Sequence, residues 1–92
     1  MTYRIIFTKE ALDHLEFWRK SGQVKILEKI AMFIDELKVH PTTGTGQVER
    51  LKRNLSGYWS RRIDKQNRLI YSIENDVVTV TVISLKGHYD DK

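Results

Sequence analysis

Glu49, Arg68 and His88 place a carboxylate, a guanidinium and an imidazole in the C-terminal half of a 92-residue chain. These are the groups that metal-free cleavage of RNA requires. The 2′-hydroxyl of RNA already lies beside the phosphate. A protein therefore has to supply only a base for that hydroxyl, an acid for the departing 5′-oxygen, and cations for the charge that builds on phosphorus. Glu49, on a short extended segment, is the candidate base. His88 is the candidate acid, because an imidazole with an ordinary pKa of about 6.5 carries a transferable proton near neutrality. Arg68 is the candidate phosphate clamp, since a guanidinium grips a phosphate with two parallel hydrogen bonds where lysine acts as a point charge. Taken singly, Glu49 reads as a surface residue paired with Arg50 or Lys52, and His88 as a solvated histidine. It is their combination with the intervening arginine strands that favours a site.

The cations are clustered. Arg50, Lys52, Arg53, Arg61, Arg62, Lys65 and Arg68 fall within one short stretch, interleaved with Tyr58, Trp59 and Tyr71. Basic residues alternating with aromatics form the electrostatic and stacking footprint of nucleic-acid binding, although the same stretch could dock an acidic protein segment. Lys52, Arg53 and Arg62 are candidate phosphate contacts, and Tyr58 and Tyr89 candidate base-stacking groups. Trp59 and Tyr71 read as core. A metal site at His88, Asp90 and Asp91 is not expected, because no second histidine or carboxylate cluster supports it. His14 and His40 receive no role.

The elements that must position these residues follow from periodicity. Residues 3–7 predict an opening strand. Thr8 is a helix N-cap, with Glu10 and Asp13 favouring the positive end of the helix it starts. Ala11, Leu15 and Trp18 recur on one side of that helix, and Ser21-Gly22 ends it. A second helix is predicted over 23–39, with Leu27, Ile30, Ala31, Ile34 and Leu37 as its apolar stripe, and Pro41 stops it. Residues 42–46 read as a flexible connection. Beyond them the period becomes two, predicting strands over 58–63, 68–74 and 77–85. The turns fall at Leu55-Ser56-Gly57, over 64–67 and at Asn75-Asp76.

Alternation then sorts the faces. Tyr58, Ser60 and Arg62 point one way and Trp59, Arg61 and Ile63 the other; Arg68 and Ile70 oppose Leu69 and Tyr71. Arg62 and Arg68 are assigned to an open face. Trp59, Ile63, Leu69 and Tyr71 are set against the helices, with Arg61 at the margin reaching solvent along its stem. Leu69, Tyr71, Ile73, Val78, Val80 and Val82 are the expected strand contribution to the core. The order strand, helix, helix, strands predicts a single α+β domain over 1–92, two N-terminal helices packed on one face of a mostly antiparallel four- to five-stranded sheet.

Composition excludes several classes. Lys and Arg number 16 against 12 Asp and Glu, a net charge of +4; 40% hydrophobic and 30% charged residues are ordinary for a folded domain. Cysteine is absent, which removes disulfides and thiolate metal sites. No apolar run approaches the roughly 20 residues of a membrane span, and the N-terminus lacks the pattern of a secretory signal. A cytoplasmic address and no membrane association are expected.

The block Glu49-Arg-Leu51-Lys52, then Asn54-Leu-Ser-Gly-Tyr-Trp-Ser-Arg-Arg62, then Arg68-Leu-Ile-Tyr71, and finally His88-Tyr89, resembles the YoeB/Txe group of RelE-like bacterial toxins in order and spacing. The resemblance covers nearly the whole chain. It implies a RelE-like fold and the toxin role of a type II toxin-antitoxin module, an mRNA endoribonuclease that cuts translated messages at the ribosomal decoding site without a metal or other cofactor. Carried over, Glu49 is the general base, His88 the general acid and Arg68 the phosphate stabiliser. Lys52 and Arg62 add phosphate contacts, and Tyr89 stacks on a base or positions the message. The partners implied are mRNA, the ribosome and a cognate YefM/Phd-like antitoxin with an acidic, partly disordered segment; a homodimer is also implied as an assembly. Two alternatives stand beside this. One is a ParE-like toxin that binds a topoisomerase and cuts nothing, and the other an RNA-binding module without catalysis.

Overall fold

Three local devices start the chain on its path. The computed structural model describes residues 2–83, the side chain of Val82 excepted. Strand β1 (Arg4–Phe7) hands over at Thr8, whose extended backbone and hydroxyl cap helix α1 (Lys9–Ser21) by accepting from the Ala11 amide at 3.1 Å. That hydroxyl in turn donates to the carbonyl of Thr81 at 2.8 Å, so one side chain both starts the helix and fastens it to a segment 73 residues further along the chain. Gly22 ends α1 in the left-handed region (φ 76°) that glycine enters without steric cost.

Helix α2 (Val24–Leu37) is two residues shorter at its C-terminus than its periodicity suggests. The His40 amide donates to the Glu36 carbonyl at 2.6 Å, turning the chain before Pro41. The stripe also differs from expectation. Phe33, fully buried, belongs to the core, whereas Ala31 is exposed.

After a loop come β2 (Glu49–Arg50), a 3-10 turn (Arg53–Leu55), β3 (Tyr58–Arg62), β4 (Arg68–Glu74) and β5 (Val77–Ile83). They form one five-stranded sheet in the order β1-β5-β4-β3-β2. Every neighbour is antiparallel except β1 with β5. The β3–β4 turn is organised by Asp64, whose carboxylate accepts from the amides of Gln66 and Asn67, both at 2.8 Å, and from the Asn67 side chain. Burial opposes ionisation of that carboxyl, but these donors and the nearby Lys29 charge prevail and hold it below its usual range.

The helices contribute Ala11, Trp18, Ile30, Phe33 and Leu37 to the core, and the sheet Ile63, Leu69, Tyr71, Val78, Val80 and Ile83. Burying a large apolar side chain contributes about 1.5–3 kcal/mol, so this one layer carries most of the fold. Alternation also assigns Val82 to that layer, and its side chain lies outside the described residues. A register shift between Ile70 and Tyr71 aligns Val82 with Ile70 and Ile83 with Leu69, and Ile83 is buried. The opposite face keeps its own small apolar patch of Leu51 and Ile70, flanked by Leu55 and Tyr58.

Arg61 departs furthest from its sequence assignment. It is not at a margin but fully buried, 0% exposed. Its guanidinium donates to Glu36 Oε1, to the carbonyls of Thr45 (3.2 Å), His40 (2.7 Å) and Thr43 (2.8 Å), and to the Tyr71 hydroxyl (3.4 Å). It also lies 5.9 Å from the ring centres of Phe33 and Tyr71. A buried charge is tolerable only when paired and hydrogen-bonded throughout, and here Glu36 provides the counter-charge while Thr43 and Thr45 of loop 42–46, with His40 and Tyr71, provide the other acceptors. That loop, which composition marks as a flexible connection, is folded around a cation.

Candidate active site

On the face away from the helices, β2, β3 and β4 bring Glu49, Ser60 and Arg68 side by side. The ladder aligns Glu49 with Ser60, and Arg62 with Arg68. Arg68 Nη1 donates to Glu49 Oε1 at 3.4 Å and to Ser60 Oγ at 3.3 Å. The Glu49 side chain is 62% exposed and that of Arg68 30%, so the contact is long, solvated and weak. It places a carboxylate and a guanidinium within reach of one small anion without locking them together.

Arg62 adds a second cation directly across the ladder from Arg68. Like charges opposed on one face of a sheet repel, and the single carboxylate of Glu49 does not balance two guanidiniums. Arg62 is exposed and donates to the Gln47 amide oxygen at 3.4 Å. Such an excess of positive potential around a buried serine suits a phosphate.

Lys52 and Arg53 border the site at the 3-10 turn, and both are exposed. Arg53 takes φ 58°, in the left-handed region that a side-chain-bearing residue enters at some cost, and its carbonyl accepts from the Ser56 amide at 2.9 Å. Tyr58 packs against the Leu51–Ile70 patch on the same face. His88 and Tyr89 lie outside the described residues. Arg50 points the other way, its guanidinium carbon 5.7 Å from the Trp59 ring centre, so the alternation of β2 separates it from Glu49.

Two residues of consequence carry no role from sequence. Ser60 sits between the acid and the cation and is 1% exposed; alternation places it on the open face, but a serine on a strand gives no further signal. Glu36 is the other. Burial works against its ionisation, yet the Thr45 amide (3.1 Å) and hydroxyl (2.9 Å) and the Arg61 guanidinium overcome this and hold its carboxyl below the ordinary 4.5. No group of three His, Cys, Asp or Glu suited to a metal ion occurs among the described residues. Nor is any described helix long and apolar enough to cross a membrane.

Two helices on one face of a five-stranded, mostly antiparallel sheet make this the fold of the RelE-like toxins. Residues 7–89 match the family described as the YoeB-like toxin of bacterial type II toxin-antitoxin systems. The Toxin YoeB of Synechocystis is 40% identical over 87 residues, spanning 94% of this chain and 96% of that relative. A YoeB/ParE toxin from Agrobacterium tumefaciens superposes with a TM-score of 0.84 at 32% identity, covering 94% of this chain and 99% of the other. Two Staphylococcus aureus structures, a YoeB dimer and a heterotetrameric YoeB–YefM toxin-antitoxin complex, superpose at 0.82 and 0.80, both at 28% identity over 97% of this chain and 100% of theirs. The chain belongs to the YoeB-like toxin family.

Proposed function

We propose that this toxin is a ribosome-dependent mRNA endoribonuclease that works without a metal, and that the Glu49–Ser60–Arg68 cluster with Arg62 opposite is its phosphate site. The observation that carries the assignment is the weak Glu49–Arg68 contact beside a second, opposed guanidinium. When a message phosphate arrives, Arg68 exchanges Glu49 for a phosphate oxygen, which frees the carboxylate to act. Glu49 takes the 2′-hydroxyl proton as the 2′-oxygen attacks phosphorus. Arg68 and Arg62 hold the added negative charge on the phosphorane. The 5′-oxygen leaves with a proton from His88, and the products are a 2′,3′-cyclic phosphate and a free 5′-hydroxyl. Lys52, Arg53 and Tyr58, which rim the same face, and Tyr89 hold the flanking nucleotides.

A net charge of +4 gives a domain this small little grip on free RNA. The ribosome therefore supplies the message in place, stretched and unpaired at the decoding site. The cognate regulator is a YefM-like antitoxin, in keeping with the Staphylococcus aureus complex, and a homodimer is in keeping with the dimer from that organism. The compartment is the cytoplasm, where translating ribosomes are.

The test is cleavage of a defined message on purified programmed ribosomes with EDTA present, mapped by primer extension, comparing wild type with Glu49→Ala and His88→Ala. Cleavage at the decoding site by wild type and its loss in both variants is the expected result. Intact messages with wild-type protein, together with inhibition of a topoisomerase, would move the chain to the ParE-like reading.

A further inference from the structure

Strand β2 carries the candidate base but has only two residues, Glu49 and Arg50. A strand that short does not hold its own register, and a slip of one residue turns every side chain to the other face. Moved one way, Arg50 would stand opposite Ser60; moved the other, Val48 would. Either shift removes the carboxylate from Arg68, and the first puts a third guanidinium in its place.

On the C-terminal side the register is held by Leu51, which is buried against Ile70 and whose amide donates to the Tyr58 carbonyl at 2.9 Å. On the N-terminal side it is held by the buried ion pair. Arg61 binds the carbonyls of His40, Thr43 and Thr45 as well as Glu36, while the next residue's amide, that of Arg62, donates to the Gly46 carbonyl at 2.6 Å. The loop is moulded to the pair. A Cβ on Gly44 would stand 2.5 Å from Glu36 Oε1 and 3.1 Å from Arg61 Nη1, and one on Gly46 would stand 2.6 Å from Phe33 Cζ. Both glycines also have positive φ, 122° and 89°. From Gly46 the chain reaches Glu49 in three residues.

We infer that Arg61 is a positioning residue, which with Glu36 and loop 40–46 sets the register of β2 and thereby decides that Glu49, and not Arg50 or Val48, faces Arg68. Arg61 lies on the helix side of β3 and touches no part of the open face, so it acts on the site only through the backbone it holds. The positioning matters to chemistry because of the nuclease assignment above, on which its kinetic consequence rests.

Arg61→Lys and Gly44→Ala test this in the full chain. The first keeps the charge but cannot reach all the acceptors; the second leaves Arg61 intact and lifts the loop from it. Amide exchange is followed at Leu51 and through α1 and α2, and single-turnover cleavage is measured on programmed ribosomes across a range of ribosome concentrations. In both variants the Leu51 amide should lose about tenfold more protection than the helix amides do, whatever the global loss of stability. The saturating cleavage rate should fall about 100-fold, as for a reacting group displaced by an ångström, with the half-saturating ribosome concentration unchanged. Wild-type protection at Leu51 in a folded variant would overturn the inference, as would a loss spread evenly over the helices. Should Arg61→Lys not fold, Gly44→Ala decides alone. Should the wild type cut no message, the nuclease assignment falls and exchange at Leu51 still settles the positioning.

Discussion

Arg61→Met removes the guanidinium and leaves a side chain of similar length against Phe33 and Tyr71. The wild-type residue makes five hydrogen bonds, one of them to an ionised carboxylate. Three of its acceptors are carbonyls of exposed loop residues that water can reach once the arginine is gone, so they contribute little to the loss. Two acceptors are left worse off. Glu36 loses its counter-charge, and the buried Tyr71 hydroxyl, which donates to the Pro41 carbonyl at 2.6 Å, loses a donor. Removing one partner of a buried pair costs about 3–5 kcal/mol. Total stability for a domain this size is about 5–14 kcal/mol, so the variant should lose a large share of it and melt roughly 12–20 °C or more below wild type. Removing both charges, in Arg61→Met/Glu36→Leu, should recover at least about 1 kcal/mol of that loss, because no carboxylate then remains uncompensated. Urea unfolding followed by tryptophan fluorescence and circular dichroism measures both. A single variant within about 0.5 kcal/mol of wild type, the range of surface substitutions, would refute the account of Arg61 as a buried ionic tether.

Glu36→Gln should show a defined pH dependence. The folded carboxyl is held below 4.5, so its contribution is fully present above that pH and disappears as pH falls through the folded value; the stability gap between wild type and variant should therefore be constant near neutrality and close in acid, as read from melting temperatures across pH. Gly46→Ala should destabilise by about 1–3 kcal/mol, because its Cβ meets Phe33 and its φ is 89°, whereas Gly22→Ala, with open space around it, should lose only about 1 kcal/mol; paired urea melts compare them. Arg68→Lys should lower single-turnover cleavage by about 10- to 100-fold, since one ammonium replaces a bidentate clamp, and an unchanged rate would remove Arg68 from the phosphate site.

The strands and helices were legible because their periods are strong, and the open face because alternation needs only a correct strand assignment. Arg68 and Arg62 could thus be placed on it from residue spacing alone. Three features were not legible, each for a physical reason. The register shift in β4–β5 passes over one residue, Thr81, with no glycine or proline to mark it, so the burial of Ile83 goes unannounced. Phe33 stands three residues after Ile30 and four before Leu37, on the stripe's own face, but spacing does not show that the Arg61 guanidinium of β3 lies over its ring. Arg61 misleads because arginine is usually exposed. Its burial depends on carbonyls of loop 40–46, 15 or more residues earlier, and carbonyls are the one acceptor every residue carries. A loop read as loose because it is polar is polar in the service of a cation.

The brevity of β2 also bears on how the molecule behaves in company. It forms one outer edge of the sheet, and exposed edges recruit strands from other chains. A longer β2 would hold Glu49 in register by its own ladder, but at the cost of a broad adhesive border next to the site. By tethering a two-residue strand from the loop behind it, the fold keeps its working edge rigid and gives a stray chain almost nothing to zip onto. The same sheet can therefore be reactive on its face and quiet along its rim.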